Sequence, residues 1–251
     1  MTTRIFVATH KMYRMPDNPV YVPVWAGAET SRTFNHQFTG DNKGDNISAK
    51  NNSYNELSVL YYGWKNVKAD IKGLAHYRRF IGREKNLNDY SNLLSEPDIE
   101  RILTTNDVIV TPKRKFYLMS TYSHYVLSQS EMKKVHKNDL DTLKNIIAHL
   151  YPDYLPAIEH VYKSRSAHML NMFIMREAEF DKYCEWLFAI LGEMEKSINR
   201  ARVLGAMGEF LLDVYIQTNH LKAKEMPLIE LEKAPFFLKV NGRLKRMIKR
   251  K

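Results

Sequence analysis

Short apolar runs bounded by polar loops alternate along this chain with longer stretches in which apolar residues recur every three or four positions. Residues 5–8 are an apolar run that passes into Thr9-His10-Lys11, which predicts a first parallel strand opening into a loop at its carboxyl end. Residues 21–26 are a second strand candidate, and the polar, glycine-containing stretch 34–46 reads as a loop. From Ser48, a residue suited to capping, Tyr54, Leu57, Tyr61 and Trp64 recur on one face of a predicted helix, with Asn51, Asn55 and Ser58 on another. Strands follow at 71–75 and 107–110. Next come a helix at 139–150 closed by Pro152, a late strand over 168–175, and helices at 180–196 and 201–216. Strands alternating with helices predict an α/β fold with a mostly parallel central sheet flanked by helices. Residues 1–238 read as a single domain and 239–251 as an appended tail.

The strand at 71–75 ends abruptly in His76-Tyr77-Arg78-Arg79. Open α/β sheets bind ligands at the carboxyl ends of their strands. Two guanidinium groups placed there can clamp a diphosphate through charge-assisted hydrogen bonds. The alternative is a solvated basic turn with Tyr77 and Phe80 packed inward. Asp41, Asp45, Asn46, Ser48, Lys50, Asn51 and Asn52 crowd the start of the following helix. Such a cluster either supplies turn and cap chemistry or offers an anion site with side chains able to read a ribose or a base edge. Glu209, preceded by Gly205-Ala206-Met207-Gly208, is a candidate general base, its small neighbours allowing close approach of a backbone or ligand. It can equally pair with Arg202 or be solvated. Glu56, beside the apolar Leu57, is expected to be either paired with a cation or exposed.

Charge sharpens the picture. The formal net charge is +10, which calls for an anionic partner. The excess peaks in residues 239–251, where seven lysines and arginines stand with no acidic residue. Val240, Leu244, Met247 and Ile248 fall on one stripe there, a basic amphipathic pattern suited to an anionic membrane surface. No nucleic-acid recognition motif accompanies the charge, and no apolar run approaches the ~20 residues a membrane span needs. The single cysteine, Cys184, reads as a buried structural thiol in a helix. Asp139 and Asp141 form an Asp-x-Asp string, but it opens an amphipathic helix, where acidic residues suit the N-terminal field. No metal site is expected.

Several segments together resemble a known family. They are Ala8-Thr9-His10-Lys11, Gly44-Asp45-Asn46-Ile47-Ser48-Ala49-Lys50-Asn51, Tyr54-Asn55-Glu56-Leu57 with Trp64-Lys65-Asn66, Gly73-Leu74-Ala75-His76-Tyr77-Arg78-Arg79-Phe80, Asn171-Met172-Phe173-Ile174 and Arg202-Val203-Leu204-Gly205. In this order, over residues 4 to 220, the chain resembles the capsular and exopolysaccharide synthesis glycosyltransferases of domain of unknown function 4422. The resemblance implies a GT-A-like nucleotide-sugar fold and transfer of galactose or galactofuranose from a UDP-sugar. Most GT-A enzymes carry an Asp-x-Asp metal motif where this chain has His76, Arg78 and Arg79, so fixed cations are expected to replace the metal. Gly63 departs from the family's unbroken aromatic helix and weakens it by about 1 kcal/mol against alanine.

The resulting expectation is a cytoplasmic enzyme, peripheral on the inner membrane face. It transfers a hexose with inversion from a UDP-sugar to a lipid-linked or oligosaccharide acceptor, with no metal required. Thr9, Lys11, Asp45, Asn46, Ser48, Asn51 and Asn52 would hold the nucleoside and ribose, His76, Arg78 and Arg79 the diphosphate, and Glu209 would act as base. The competing expectations are a non-catalytic nucleotide-sugar or carbohydrate-binding module and a basic nucleic-acid-binding protein.

Overall fold

The computed structural model describes residues 1–130, 135–198 and 200–232; the basic tail at 239–251 lies outside the described residues. The strands are β1 (Thr3–Thr9), β2 (Tyr21–Trp25), β3 (Thr39–Gly40), β4 (Ile71–His76), β5 (Arg79–Ile81), β6 (Val108–Val110), β7 (Arg114–Lys115), β8 (Ser166–Ala167), β9 (Phe173–Arg176), β10 (Ala223–Glu225) and β11 (Leu228–Glu230). The helices are α1 (Asn51–Tyr54), α2 (Leu57–Asn66), α3 (Glu96–Leu103), α4 (Thr121–Ser130), α5 (Lys137–Leu150), α6 (Leu155–Lys163), α7 (Glu177–Ser197) and α8 (Val203–Thr218).

The main sheet runs β10-β6-β9-β4-β1-β2-β3. All of these strands point one way except β9, which is antiparallel to both β4 and β6. The fold is thus mixed α/β with a mostly parallel sheet, as the alternation of patterns predicts. At the end of β4 the chain turns through Tyr77 and Arg78 and returns as β5, whose far side pairs with β11.

Period-two alternation on the central strands separates two cores. Phe6, Leu74, Val108, Val110 and Phe173 face the layer holding α2 and α4 to α8. Ile5, Val7, Ile71, Ala75, Ile109 and Ile174 face α3 and the chain around β5. Cys184 is a buried free thiol in the first of these cores.

Three sequence expectations change in detail. The helix starting near Ser48 is broken, because Asn55 adopts φ 52°, ψ −129° and separates α1 from α2. Ser48 caps neither piece; its hydroxyl donates to Asp41 and accepts from the Glu29 N–H. The late strand begins only at Phe173, because Leu170 and Asn171 take left-handed backbone (φ 80° and 53°) that a ladder does not accommodate.

Candidate functional site

A cleft of about 410 Å³ opens where β1 and β4 end, between the α1–α2 break and the start of α8. Thr9 and His10 close one wall, His76 to Arg79 form the floor and rim, and Asn51, Asn52, Glu56 and Arg202 stand opposite. Behind Glu56 the cleft continues into a smaller pocket of about 160 Å³, reaching Leu170, Gly205, Ala206 and Glu209. Ligands of open α/β sheets occupy this carboxyl-end position.

Positive charge at the rim comes from three guanidinium groups. Arg78 lies 4.8 Å above the Tyr77 ring and donates to Glu232 at 2.7 Å, while Arg79 Nε donates to Glu230 at 3.4 Å. The two side chains are 40% and 39% exposed, so they are neither buried nor lost to open solvent. Partly exposed pairs of this kind are each worth under about 1 kcal/mol and are exchangeable for a better anion. Arg202 joins them from the other wall. It sits in left-handed backbone (φ 66°) at the start of α8, its N–H donating to the Asn52 carbonyl at 2.7 Å.

His76 enters the floor as a neutral ring. Burial first, then the neighbouring Arg79, pushes it down to about 4. Its Nε2–H donates to the Leu170 carbonyl at 2.7 Å, so Nδ1 keeps an acceptor lone pair. The expectation of a cationic His76 is therefore corrected: the fixed positive charge belongs to Arg78, Arg79 and Arg202.

Two carboxyl groups occupy the inner pocket. Burial raises both above the ordinary carboxylate range, Glu209 to about 7. Glu209 accepts a hydrogen bond from the Tyr125 hydroxyl at 2.6 Å rather than pairing with Arg202. Glu56 accepts from the side-chain amide of Asn171, also at 2.6 Å. The glycines before Glu209 serve close approach: a Cβ on Gly205 would stand 2.9 Å from the Tyr54 carbonyl oxygen.

Residues 4–220 match the family described as Domain of unknown function (DUF4422). The chain belongs to the DUF4422 family. It is also similar to a solved structure described as the apo form of WbbM, a bifunctional glycosyltransferase, with a TM-score of 0.83 and 28% identity. The likeness covers 93% of this chain and 46% of that one, so the chain spans less than half the length of WbbM. No curated protein matches it.

Of the residues singled out in this DUF4422 chain, the fold brings Thr9, Asn51, Asn52, His76, Arg78 and Arg79 to the outer cleft and Glu209 to its inner end. Lys11 stands beside it, 5.3 Å over the Tyr77 ring. Asp45, Asn46 and Ser48 are not brought there. Asp45 accepts from the Tyr61 hydroxyl at 3.2 Å, and Asn46 bonds the Gly44 carbonyl at 2.9 Å and the Ser48 N–H at 3.1 Å. Ser48 joins Ser58 and the Gly27 and Ala28 N–H groups around the fully buried Asp41. That part of the cluster holds the loop after β2 against the α1–α2 break.

Asp139 bonds the His136 N–H at 2.6 Å at the start of α5 and pairs with Arg200, while Asp141 accepts from Tyr122. Among the described residues no group of three or more His, Cys, Asp or Glu is arranged to hold a metal ion. Sequence reasoning gave no site role to Asn171 or Tyr125, and to Arg202 only that of a possible partner of Glu209. The cue available for Arg202 is its position ahead of the small-residue run at 205–208.

Proposed function

We propose that this DUF4422 protein is a glycosyltransferase that moves a hexose, galactose or galactofuranose, from a UDP-sugar to a lipid-linked polysaccharide precursor. The observation carrying this reading is the cleft itself: three guanidinium groups line it and, in the pocket behind, stands the carboxyl group of Glu209, which burial pushes up to about 7. Resemblance to a bifunctional glycosyltransferase over 93% of the chain supports it.

In the proposed mechanism Thr9, Asn51 and Asn52 receive the nucleoside, while Arg78, Arg79 and Arg202 receive the diphosphate. The guanidiniums exchange Glu230 and Glu232 for phosphate oxygens, which fit their forked donors. His76 offers Nδ1 to a donor hydroxyl. Ionised Glu209 takes the proton of the acceptor hydroxyl as that oxygen bonds to the anomeric carbon. The bond from that carbon to the diphosphate oxygen breaks, and UDP leaves with its new charge balanced by the arginines. Direct displacement inverts the anomeric centre. Guanidinium charge standing where the leaving group departs makes transfer independent of a divalent metal in this reading.

The acceptor side of the proposal places the protein on the inner membrane face through the basic stripe at 239–251. Among the described residues no helix is long and apolar enough to cross a membrane. Calorimetry with a panel of nucleotide sugars, followed by detection of glycosylated product, tests the function. Tight binding without turnover would leave a binding module, and no binding would end the proposal.

A further inference from the structure

Glu56 occupies the junction of the outer cleft and the inner pocket, lining both. One oxygen of its carboxylate is fixed: Oε1 accepts from Asn171 Nδ2 at 2.6 Å. Asn171 cannot turn away, because the same amide nitrogen also donates to the Gly205 carbonyl at 3.0 Å. Its own oxygen lies against Gly208, where a Cβ would approach it to 2.9 Å. Reversing that amide would set its oxygen against two acceptors.

The backbone around this carboxylate is held in uncommon conformations. Among the described residues six non-glycine positions have positive φ, and four of them, Asn55, Leu170, Asn171 and Arg202, surround Glu56. Left-handed backbone at such residues costs on the order of 1–3 kcal/mol each, and its concentration at one point marks a functional constraint. Asn55 immediately precedes Glu56 and breaks the helix there, aiming the carboxylate across the cleft instead of along α2.

Among the described residues no guanidinium or ammonium is hydrogen-bonded to Glu56; its side-chain donor is the neutral amide of Asn171, while Arg79 and Arg202 share the pocket and favour its charge from a distance. A carboxylate held by neutral donors, with acceptor capacity left over and open space before it, suits neutral hydroxyl groups. The inner pocket has less than half the volume of the outer cleft and shares Arg79 and Arg202 with it, so a group seated there adjoins the cations assigned to the diphosphate.

Resting on the glycosyltransferase reading above, we infer that the inner pocket is the seat of the transferred sugar ring, with Glu56 accepting from ring hydroxyls and Asn171 as its positioning residue. Glu56 is then the residue that distinguishes one nucleotide hexose from another. A carboxylate accepting from a hydroxyl rejects an analogue lacking that hydroxyl, because its buried charge loses its partner.

The test is equilibrium binding of UDP and a set of UDP-hexoses, deoxy analogues included, to the full chain as wild type, Glu56→Gln and Glu56→Asp. The wild type should bind one UDP-hexose more tightly than UDP. Glu56→Gln should reduce that hexose's affinity by about tenfold or more, as loss of a charge-assisted hydrogen bond does, while leaving UDP affinity unchanged. Glu56→Asp, which keeps the charge on a shorter arm, should retain part of the preference. Full preference kept in Glu56→Gln overturns the assignment and leaves the transferase reading standing. Equal loss of UDP affinity in Glu56→Gln would make Glu56 a structural group and also overturn it. A wild type that binds UDP and every UDP-hexose with no difference rejects the sugar pocket, and one that binds none of them rejects the parent reading itself.

Discussion

Tyr125 donates its phenolic hydrogen to Glu209 at 2.6 Å, across the interface between α4 and α8. This bond opposes burial: desolvation lifts the Glu209 carboxyl to about 7, while the hydroxyl stabilises the ionised form and keeps it from rising further. A base must be ionised to accept a proton, so transfer should increase with pH along a limb centred near the Glu209 value. Removing the hydroxyl in Tyr125→Phe should move that limb to higher pH. A pH profile of kcat/KM for both proteins checks this, and a limb that stays in place or moves to lower pH would remove Glu209 from the role. Glu209→Gln should lower turnover by about 10²–10⁴-fold while sparing UDP affinity.

The same shift has a consequence for stability that needs no substrate. Glu209 binds its proton more tightly in the folded chain than when unfolded, where its value is the ordinary 4.5. Between those two values the folded state holds more protons, so the contribution of Glu209 to stability falls as pH rises through about 7. The ceiling is about 3–4 kcal/mol, from a shift of 4.5 to about 7 at about 1.4 kcal/mol per unit. Urea unfolding at about pH 5 and about pH 8 should show the wild type losing stability relative to Glu209→Gln. A constant difference between the two proteins would mean that the carboxyl is not buried as described.

If guanidinium charge does the work of a metal at the diphosphate, transfer should persist in excess chelator. Arg78→Ala and Arg79→Ala should each weaken UDP binding by roughly 10–100-fold, the cost of losing a charge-assisted hydrogen bond. Complete loss of activity on chelation, restored by a divalent cation, would end the metal-free proposal.

Arg202 allows a cleaner separation of fold from function. Its φ of 66° suits glycine, so Arg202→Gly relieves local strain while removing the charge. Thermal stability should change by less than about 1 kcal/mol, because relief of strain is offset by the greater freedom of an unfolded glycine. UDP affinity should nonetheless fall. Unchanged affinity would place Arg202 outside the diphosphate site.

What the sequence displays of this site follows from how local each cue is. Residues 71–75, apolar apart from Lys72, run directly into His76 and two arginines, so both the strand and its chemistry lie in one window. Glu56 and its partner Asn171 are 115 positions apart, and only the sheet order β9-β4-β1 brings them together. The reversal of β9 is equally hidden, since a buried strand has the same apolar pattern in either direction. In the polar cluster at 41–52, composition cannot separate Asn51 and Asn52, which reach the cleft, from Asp41 and Ser48, which bind the loop to itself. For Arg202 the sequence offers only its position ahead of the run at 205–208; the left-handed backbone that sets it at the start of α8 is encoded by no side-chain pattern.

Gly63 gives the sharpest case of tertiary packing overriding propensity. Taken alone, a glycine inside α2 is a defect, and alanine should strengthen the helix by about 1 kcal/mol. In the fold, α2 crosses β1 at this point, and a Cβ on Gly63 would overlap three atoms of the Phe6 ring. Phe6 is fully buried in the middle of β1 and belongs to the larger core, so its ring has no free space to enter. Overpacking of such a site costs about 1–3 kcal/mol, which exceeds the propensity gain. Gly63→Ala should therefore lower the thermal midpoint, and Phe6→Leu in the same chain should recover part of the loss by making room. A midpoint that rises in the single variant would show that α2 stands farther from β1 than described, and with it the cleft wall that α2 supports through Glu56.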